Sequence, residues 1–123
     1  MAVSKTTTIS ALAGTLVVDL DADANEEDNV TGATSGLIYA VDIDNTVNAV
    51  SAVYVKIADT SNATVSSTKA DLMLIAPAGK SVSYILPYGH AYSSGVSFWC
   101  TTGNADASTS APTKSVKVRI LCT

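Results

Sequence analysis

The chain has one histidine, His90, and hydroxyl side chains follow it closely in Gly89-His90-Ala91-Tyr92-Ser93-Ser94. A serine beside a histidine could serve nucleophilic catalysis, because the imidazole can take the proton of the hydroxyl group. The segment lacks the Gly-x-Ser-x-Gly elbow, so we interpret His90 as a corner residue. A pH-sensitive interface contact is the second interpretation, since imidazole titrates near neutrality. The sequence shows no other acid/base, metal or nucleophile constellation, and it predicts a protein that is not an enzyme and binds no cofactor.

A cluster of carboxylates could bind a cation. The spacing Asp19-x-Asp21-x-Asp23 matches the first ligands of an EF-hand loop, but Ala24 and Val30 stand where that loop needs glycine and a bidentate glutamate. The EF-hand motif is therefore absent, and a looser cation site shared between loops stays open. We interpret the cluster as a solvated acidic loop and as a candidate contact for a basic partner, because like charges without an interleaved base repel one another. It holds six of the eleven acidic residues: Asp19, Asp21, Asp23, Glu26, Glu27 and Asp28.

The two cysteines, Cys100 and Cys122, are too few to define a disulfide framework. Buried free thiols are the first interpretation, because unpaired cysteine behaves as a small core residue. A disulfide between them is the alternative if their strands are neighbours, and a bridge between subunits is a third.

Aromatic side chains form the fourth candidate group. Tyr88, Tyr92 and Trp99 could form a platform that stacks on sugar rings, or they could pack in the core or between subunits. Phe98 and Trp99 alternate along a predicted strand. We expect Phe98 on the inner face with Cys100, and Trp99 facing out or toward a neighbouring subunit.

The elements that position these residues are predicted to be strands. Apolar and polar residues alternate with a period of two, turn residues separate the runs, and no helical pattern is convincing. Residues 87–94 form a corner between two strands, and residues 101–112 form an exposed loop. The sequence predicts a single antiparallel β-sandwich or jelly roll of about eight strands, with clear runs at 2–22, 36–43, 49–58, 72–75, 81–86, 95–102 and 116–122.

Length and composition agree with one domain over residues 1–123. Residues 9–18 superficially resemble a signal peptide, but the run is short and broken, and we interpret it as part of an ordinary first strand. The net charge of −4 argues against nonspecific binding to nucleic acid or to an anionic membrane, and no apolar run is long enough to span a bilayer.

Residues 53–103 carry a resemblance to a known module. Their features are a VYVKI-x-D strand, a variable Ser/Thr loop, an L-x-L-I-A-P-A-G strand and turn, an aromatic-Pro-x-Gly corner, and a strand SSGVSFW followed by TTG. This pattern resembles β-sandwich modules in structural proteins of tailed bacteriophages. Residues 1–52, including the acidic cluster, lie outside it.

The resemblance implies a capsid decoration (cement) protein, located on the outer surface of the virion and made in the host cytoplasm. Its partners would be the major capsid protein and other copies of itself, in a homotrimer. If subunits gather around a three-fold axis, the acidic loop and the basic face of the last strand, with Lys117 and Arg119, could meet as complementary patches. The alternative is a receptor-binding or carbohydrate-binding tip of a tail or fibre.

Overall fold

The computed structural model describes residues 3–6 and 14–123, and these form two antiparallel β-sheets that pack as a sandwich. The predicted all-β class is confirmed. Residues 7–13 of the predicted first strand lie outside the described residues. The described part of the chain contains no helix that could cross a membrane. The strands are β1 (Val3–Thr6), β2 (Thr15–Ala22), β3 (Gly36–Asp44), β4 (Val53–Asp59), β5 (Leu72–Ala76), β6 (Ser81–Tyr92), β7 (Val96–Thr101) and β8 (Val116–Cys122).

The larger sheet has five strands in the order β1-β2-β8-β3-β6, and the smaller has three in the order β5-β4-β7. Strand β8 lies in the middle of the larger sheet, hydrogen-bonded to β2 and β3. Its side chains alternate as predicted: Val116, Val118, Ile120 and Cys122 are buried, while Lys117 and Arg119 are exposed. The facing surfaces of the two sheets form the main core.

A bulge in β3 changes which of its residues face the core. Ile38 pairs with Cys122 of β8 and Ala40 with Leu121, so Tyr39 is an extra residue in the ladder. Strict alternation predicted that Val41 would share a face with Tyr39 and lie opposite Ile38. That prediction is wrong, because the bulge places both Ile38 and Val41 in the core.

The predicted corner at 87–94 is mostly part of strand β6. Opposite β3, the register of β6 jumps from Ile85 to His90, so residues 86–89 bulge out of the sheet. Gly89 has a φ of +77°, a conformation that glycine adopts at no steric cost. Strand β6 therefore continues past the bulge as far as Tyr92.

The turn from β6 into β7 is held by one carboxylate. Asp59 accepts hydrogen bonds from the backbone N–H groups of Ser93 (2.9 Å) and Ser94 (2.7 Å). These bonds, led by that from Ser94, lower the pKa of the Asp59 carboxyl. Ser93 and Ser94 end the predicted corner 87–94, and Asp59 supplies the acceptors that such a bend requires.

Candidate binding surface

Trp99 does not face solvent. It has 0% of its surface exposed and packs with Ala58, Ala63 and Val65 in a second apolar cluster. Phe98 is buried in the main core with Cys100, as predicted. The prediction that Trp99 faces out or toward a neighbour is wrong, because the polypeptide after β4 covers the outer surface of the smaller sheet.

Tyr92 is also buried, so it is not an interface residue. Its hydroxyl group donates a hydrogen bond to the backbone oxygen of Thr123 at 2.6 Å and lies 3.3 Å from Oγ1 of Thr31. Tyr88 is 95% exposed. The predicted platform of three surface aromatics therefore reduces to Tyr88 alone.

His90 is half-buried and pairs with Ile38 in the ladder of the larger sheet. Ser93, the nearer of the two serines in sequence, donates its hydroxyl group to Oδ2 of Asp59 at 3.2 Å. This bond engages the hydroxyl with a carboxylate of the neighbouring sheet. The contacts of Ser93 therefore agree with a structural role for the segment.

The acidic cluster is not a solvated loop throughout. Asp19 lies inside strand β2 and is 0% exposed. Its Oδ1 accepts a hydrogen bond from the N–H of Asp21 at 2.8 Å, and its buried Oδ2 has no hydrogen-bond partner among residues 3–6 and 14–123. Burial raises the pKa of the Asp19 carboxyl. Asp19 is thus a core residue and not a candidate contact for a basic partner.

The segment 23–30 pairs with the outer edge of β7. Phe98 and Glu27 exchange two backbone hydrogen bonds of 2.8 and 3.0 Å, and Val30 donates to the backbone oxygen of Val96 at 2.8 Å. The N–H of Cys100 donates to the backbone oxygen of Asp23 at 2.7 Å. This pairing was not predicted from the sequence, because backbone groups make it and the carboxylate side chains do not.

Two carboxylates of this segment accept hydrogen bonds from backbone N–H groups. Asp23 accepts a hydrogen bond from the N–H of Asn25 at 2.9 Å, and Asp28 accepts one from the N–H of Ala63 at 2.8 Å. Within residues 3–6 and 14–123, no group of three or more potential ligands is arranged to hold a metal ion. Asp21 and Asp23 remain partly accessible.

The two cysteines lie in different sheets, on β7 and β8, and both are buried free thiols. The condition for a bridge within the chain, neighbouring strands, is therefore not met. Burial raises the pKa of Cys100 to about 12 and that of Cys122 to about 11. Thiolate, the reactive form, is scarce at pH 8 at both positions.

We expect neither cysteine to react with a thiol reagent at pH 8 in the folded protein. In denaturant, two thiols per chain should react at once. The measurement is the release of a coloured thiol leaving group, followed in buffer and in guanidinium chloride. Rapid labelling of the folded protein would contradict the burial of these side chains.

The outer face of the larger sheet carries both charged and apolar groups. Where antiparallel strands pair, the opposed side chains lie on the same side of the sheet. Asp42 of β3 stands opposite Arg119 of β8, and Asp44 stands opposite Lys117. These four charges line a shallow groove of about 240 Å³ with Ser81 and Ser83 of β6.

An apolar groove of about 370 Å³ continues this face. Ile85, which is 67% exposed, pairs with Ala40 across β6 and β3, and Ala40 pairs with Leu121 of β8. Tyr39 and Pro87 also line the groove. The outer face thus has a charged half and an apolar half, and Lys117 and Arg119 lie in the charged half.

One side of the sandwich is bounded by two edge strands, β5 of the smaller sheet and β6 of the larger. The Tyr84 hydroxyl group joins them by donating to the backbone oxygen of Ile75 at 2.5 Å. Met73 and Ile75 of β5 are exposed, and Tyr88 projects from the bulge in β6. Neither strand carries an aspartate, glutamate, lysine or arginine, the charges that commonly protect an exposed sheet edge. We call this side the open edge.

Lys56 is a buried charge that the sequence did not single out. It is fully buried in β4, opposite Trp99 of β7, and its Nζ donates to the backbone oxygen of Ala105 at 2.5 Å. Burial lowers the pKa of its ammonium group. The contact fastens the loop that follows β7 over the smaller sheet, so Lys56 has a structural role.

No protein-family model matches the chain, and the comparisons with curated proteins and with solved structures return no match.

Proposed function

We propose that this chain is a decoration protein of a tailed-phage capsid, which binds the outside of the major capsid protein lattice and stabilises the shell. The resemblance supports this proposal, and the segment that carries it, residues 53–103, includes β4, β5, β6 and β7. That segment builds the whole smaller sheet and the long edge strand of the larger one. The resemblance thus concerns the part of the sandwich that includes the open edge.

The open edge is the observation that favours a binding role most directly. An uncharged sheet edge with exposed apolar side chains is a surface that a partner can cover, either by strand pairing or by apolar contact. Tyr88 stands beside it at the tip of the bulge, and tyrosine is enriched at the centres of interfaces. A protein that binds only the assembled shell through such a surface shifts the equilibrium toward the shell.

The alternative, a carbohydrate-binding tip, loses most of its support. Two of its three stacking residues, Tyr92 and Trp99, are buried. A single exposed tyrosine on a bulge offers one face for stacking. The proposal therefore retains the decoration protein as the function.

Copy number on the virion tests the proposal. We expect hundreds of copies spread over the shell in electron cryomicroscopy of intact particles, and a higher temperature of genome release when the protein is present. Tyr88→Ala should lower occupancy about tenfold at limiting concentration, as for a central interface aromatic. Val50→Ala truncates an apolar side chain that is 92% exposed and lies outside strands β5 and β6, so it is the control and should bind normally. A few copies at one vertex would contradict the proposal.

The homotrimer stays a prediction. The contact suggested for a three-fold assembly, between the acidic loop and the basic face of β8, cannot include Asp19, which is buried. The mass of the free protein decides between a trimer and the two-fold pair inferred below.

A further inference from the structure

The outer face of the larger sheet is complementary to itself. Its side chains fall into rows across the strands, and two rows can be followed from β2 to β6. The apolar row is Leu16, Leu121, Ala40 and Ile85; the charged row is Val18, Arg119, Asp42 and Ser83. Lys117 and Asp44 begin a third row beside the charged one.

A two-fold axis that runs parallel to the strands, midway between β8 and β3, would match these rows. Rotation about that axis places β3 of a second copy over β8 and β6 over β2, and it keeps every residue at its own height along the strands. Asp42 then faces Arg119 of the other copy, and Asp44 faces Lys117. Each such contact occurs twice, because an isologous interface repeats it.

The apolar row meets itself under the same rotation. Leu16 faces Ile85 of the other copy, and Leu121 faces Ala40. No like charges are brought together in the three rows, so one operation satisfies both halves of the face. A different protein would match this face only if its own surface carried the complementary order of anions and cations.

We propose that the outer face of the larger sheet binds a second copy of this chain in a two-fold, face-to-face pair. Sheets packed in this way lie about 10 Å apart with their strands roughly aligned. The face measures about 20 Å by 20 Å from the spacing of strands and residues, and it buries roughly 800 Å² over both copies. This area lies below the roughly 1,200 Å² at which stable specific interfaces begin, so the pair is a weak, transient one and is expected to dissociate in the micromolar range. The inference does not rest on a role in a capsid.

Single charge reversals give a sharp test, with sedimentation equilibrium from about 1 to 500 µM as the measurement. In the pair, residue 42 of each copy faces residue 119 of the other. Asp42→Lys therefore places lysine against arginine at both contacts, and Arg119→Glu places glutamate against aspartate. Each variant alone should dissociate at least about tenfold more readily than the unchanged protein, because like charges then face each other twice. In a 1:1 mixture of the two variants, the introduced lysine of one copy faces the introduced glutamate of the other, and the second contact keeps its arginine and aspartate. Both contacts then join unlike charges, and a mixed pair should form with nearly the original affinity.

Lys69→Glu is the control, since it makes the same charge change at an exposed position outside this face. It should leave the dissociation constant unchanged. Thermal unfolding of every variant shows whether the fold is retained. Ile85→Asp, in the apolar row, gives an independent check and should also weaken the pair, whereas Met73→Asp on the open edge should not.

A protein that stays monomeric at all concentrations overturns the proposal, and so does a trimer. A mixture of the two reversed variants that fails to pair overturns the two-fold register. If the unchanged protein is monomeric and Arg119→Glu loses capsid binding, this face binds another partner, and the inference is equally overturned. Failure of the capsid experiment with Tyr88→Ala leaves all these measurements unaffected.

Discussion

Replacement of Trp99 by alanine is expected to lower the free energy of unfolding by about 3–5 kcal/mol, the range found when a large buried aromatic side chain is truncated. Small domains have total stabilities of about 5–15 kcal/mol, so this change would remove a large share. The physical reason is the cavity left among Ala58, Ala63 and Val65, whose small side chains cannot close it. Urea unfolding followed by circular dichroism measures the change.

Tyr88→Ala is the matched control, because it truncates an aromatic side chain that is 95% exposed. Its effect on stability should stay within about 0.5 kcal/mol. Trp99→Phe should cost less than Trp99→Ala, since it keeps most of the ring volume and removes an indole N–H that finds no hydrogen-bond partner among the residues that the structure describes. Equal stability of Trp99→Ala and the unchanged protein would refute the burial of this residue.

Asp19→Asn is expected to stabilise the protein at pH 7 by about 1 kcal/mol and to flatten the dependence of stability on pH. The carboxylate is fully buried, and one of its oxygens has no hydrogen-bond partner in the described part of the chain. A buried polar atom without a partner costs about 1–3 kcal/mol, more when it is charged. Asparagine keeps the oxygen that accepts from Asp21, but its own amide group needs a partner, which limits the gain.

The pH dependence follows from the raised pKa of Asp19. The folded protein holds this proton more tightly than the unfolded chain does. The resulting stabilisation is complete below the unfolded pKa of about 4 and is lost as pH rises through the higher folded value. Burial and the charge of Asp19 raise the pKa of Glu27 in the same direction.

Asp44 and Asp59 act in the opposite sense. Their pKa values are lowered, chiefly by hydrogen bonds from Thr46 and from Ser94 respectively, so their stabilisation is present above the unfolded pKa and is lost in stronger acid. Unfolding in urea between pH 3 and 8 should therefore show a smaller loss of stability toward pH 8 in Asp19→Asn than in the unchanged protein. The same slope in both proteins would contradict the assignment. Glu26→Gln is the control, because it removes a partly exposed carboxylate of the same acidic segment that does not act on the pKa of Asp19.

The strands of this protein could be predicted from sequence because alternation survives in most of them. In β8 the order of apolar and charged residues gave the correct inner and outer faces. Alternation fails where the ladder has an extra residue, and nothing in the run around Tyr39 marks that bulge. A single extra residue moves every following side chain to the other face of the sheet.

The candidate sites were harder to predict because burial depends on which elements cover a strand. Trp99 and Lys56 lie on the side of β7 and β4 that faces away from the main core, and alternation assigns that side to solvent. Loops from distant parts of the sequence cover it. The charged half of the outer face was also missed as a unit, because Asp42 and Arg119 are 77 positions apart in the chain and only the register joins them.

The backbone pairing between segment 23–30 and β7 limits how this protein can aggregate. It occupies the hydrogen-bonding groups on one edge of the smaller sheet, so only β5 is left to accept a further strand on that sheet. Two such molecules can pair through their β5 strands, and the resulting pair has no free edge on the smaller sheet to which a third molecule could add. Continuous fibril growth through the smaller sheet would first require segment 23–30 to detach from β7. A mutation that weakens this pairing should therefore allow strand-by-strand polymerisation of a protein that otherwise stops at a pair.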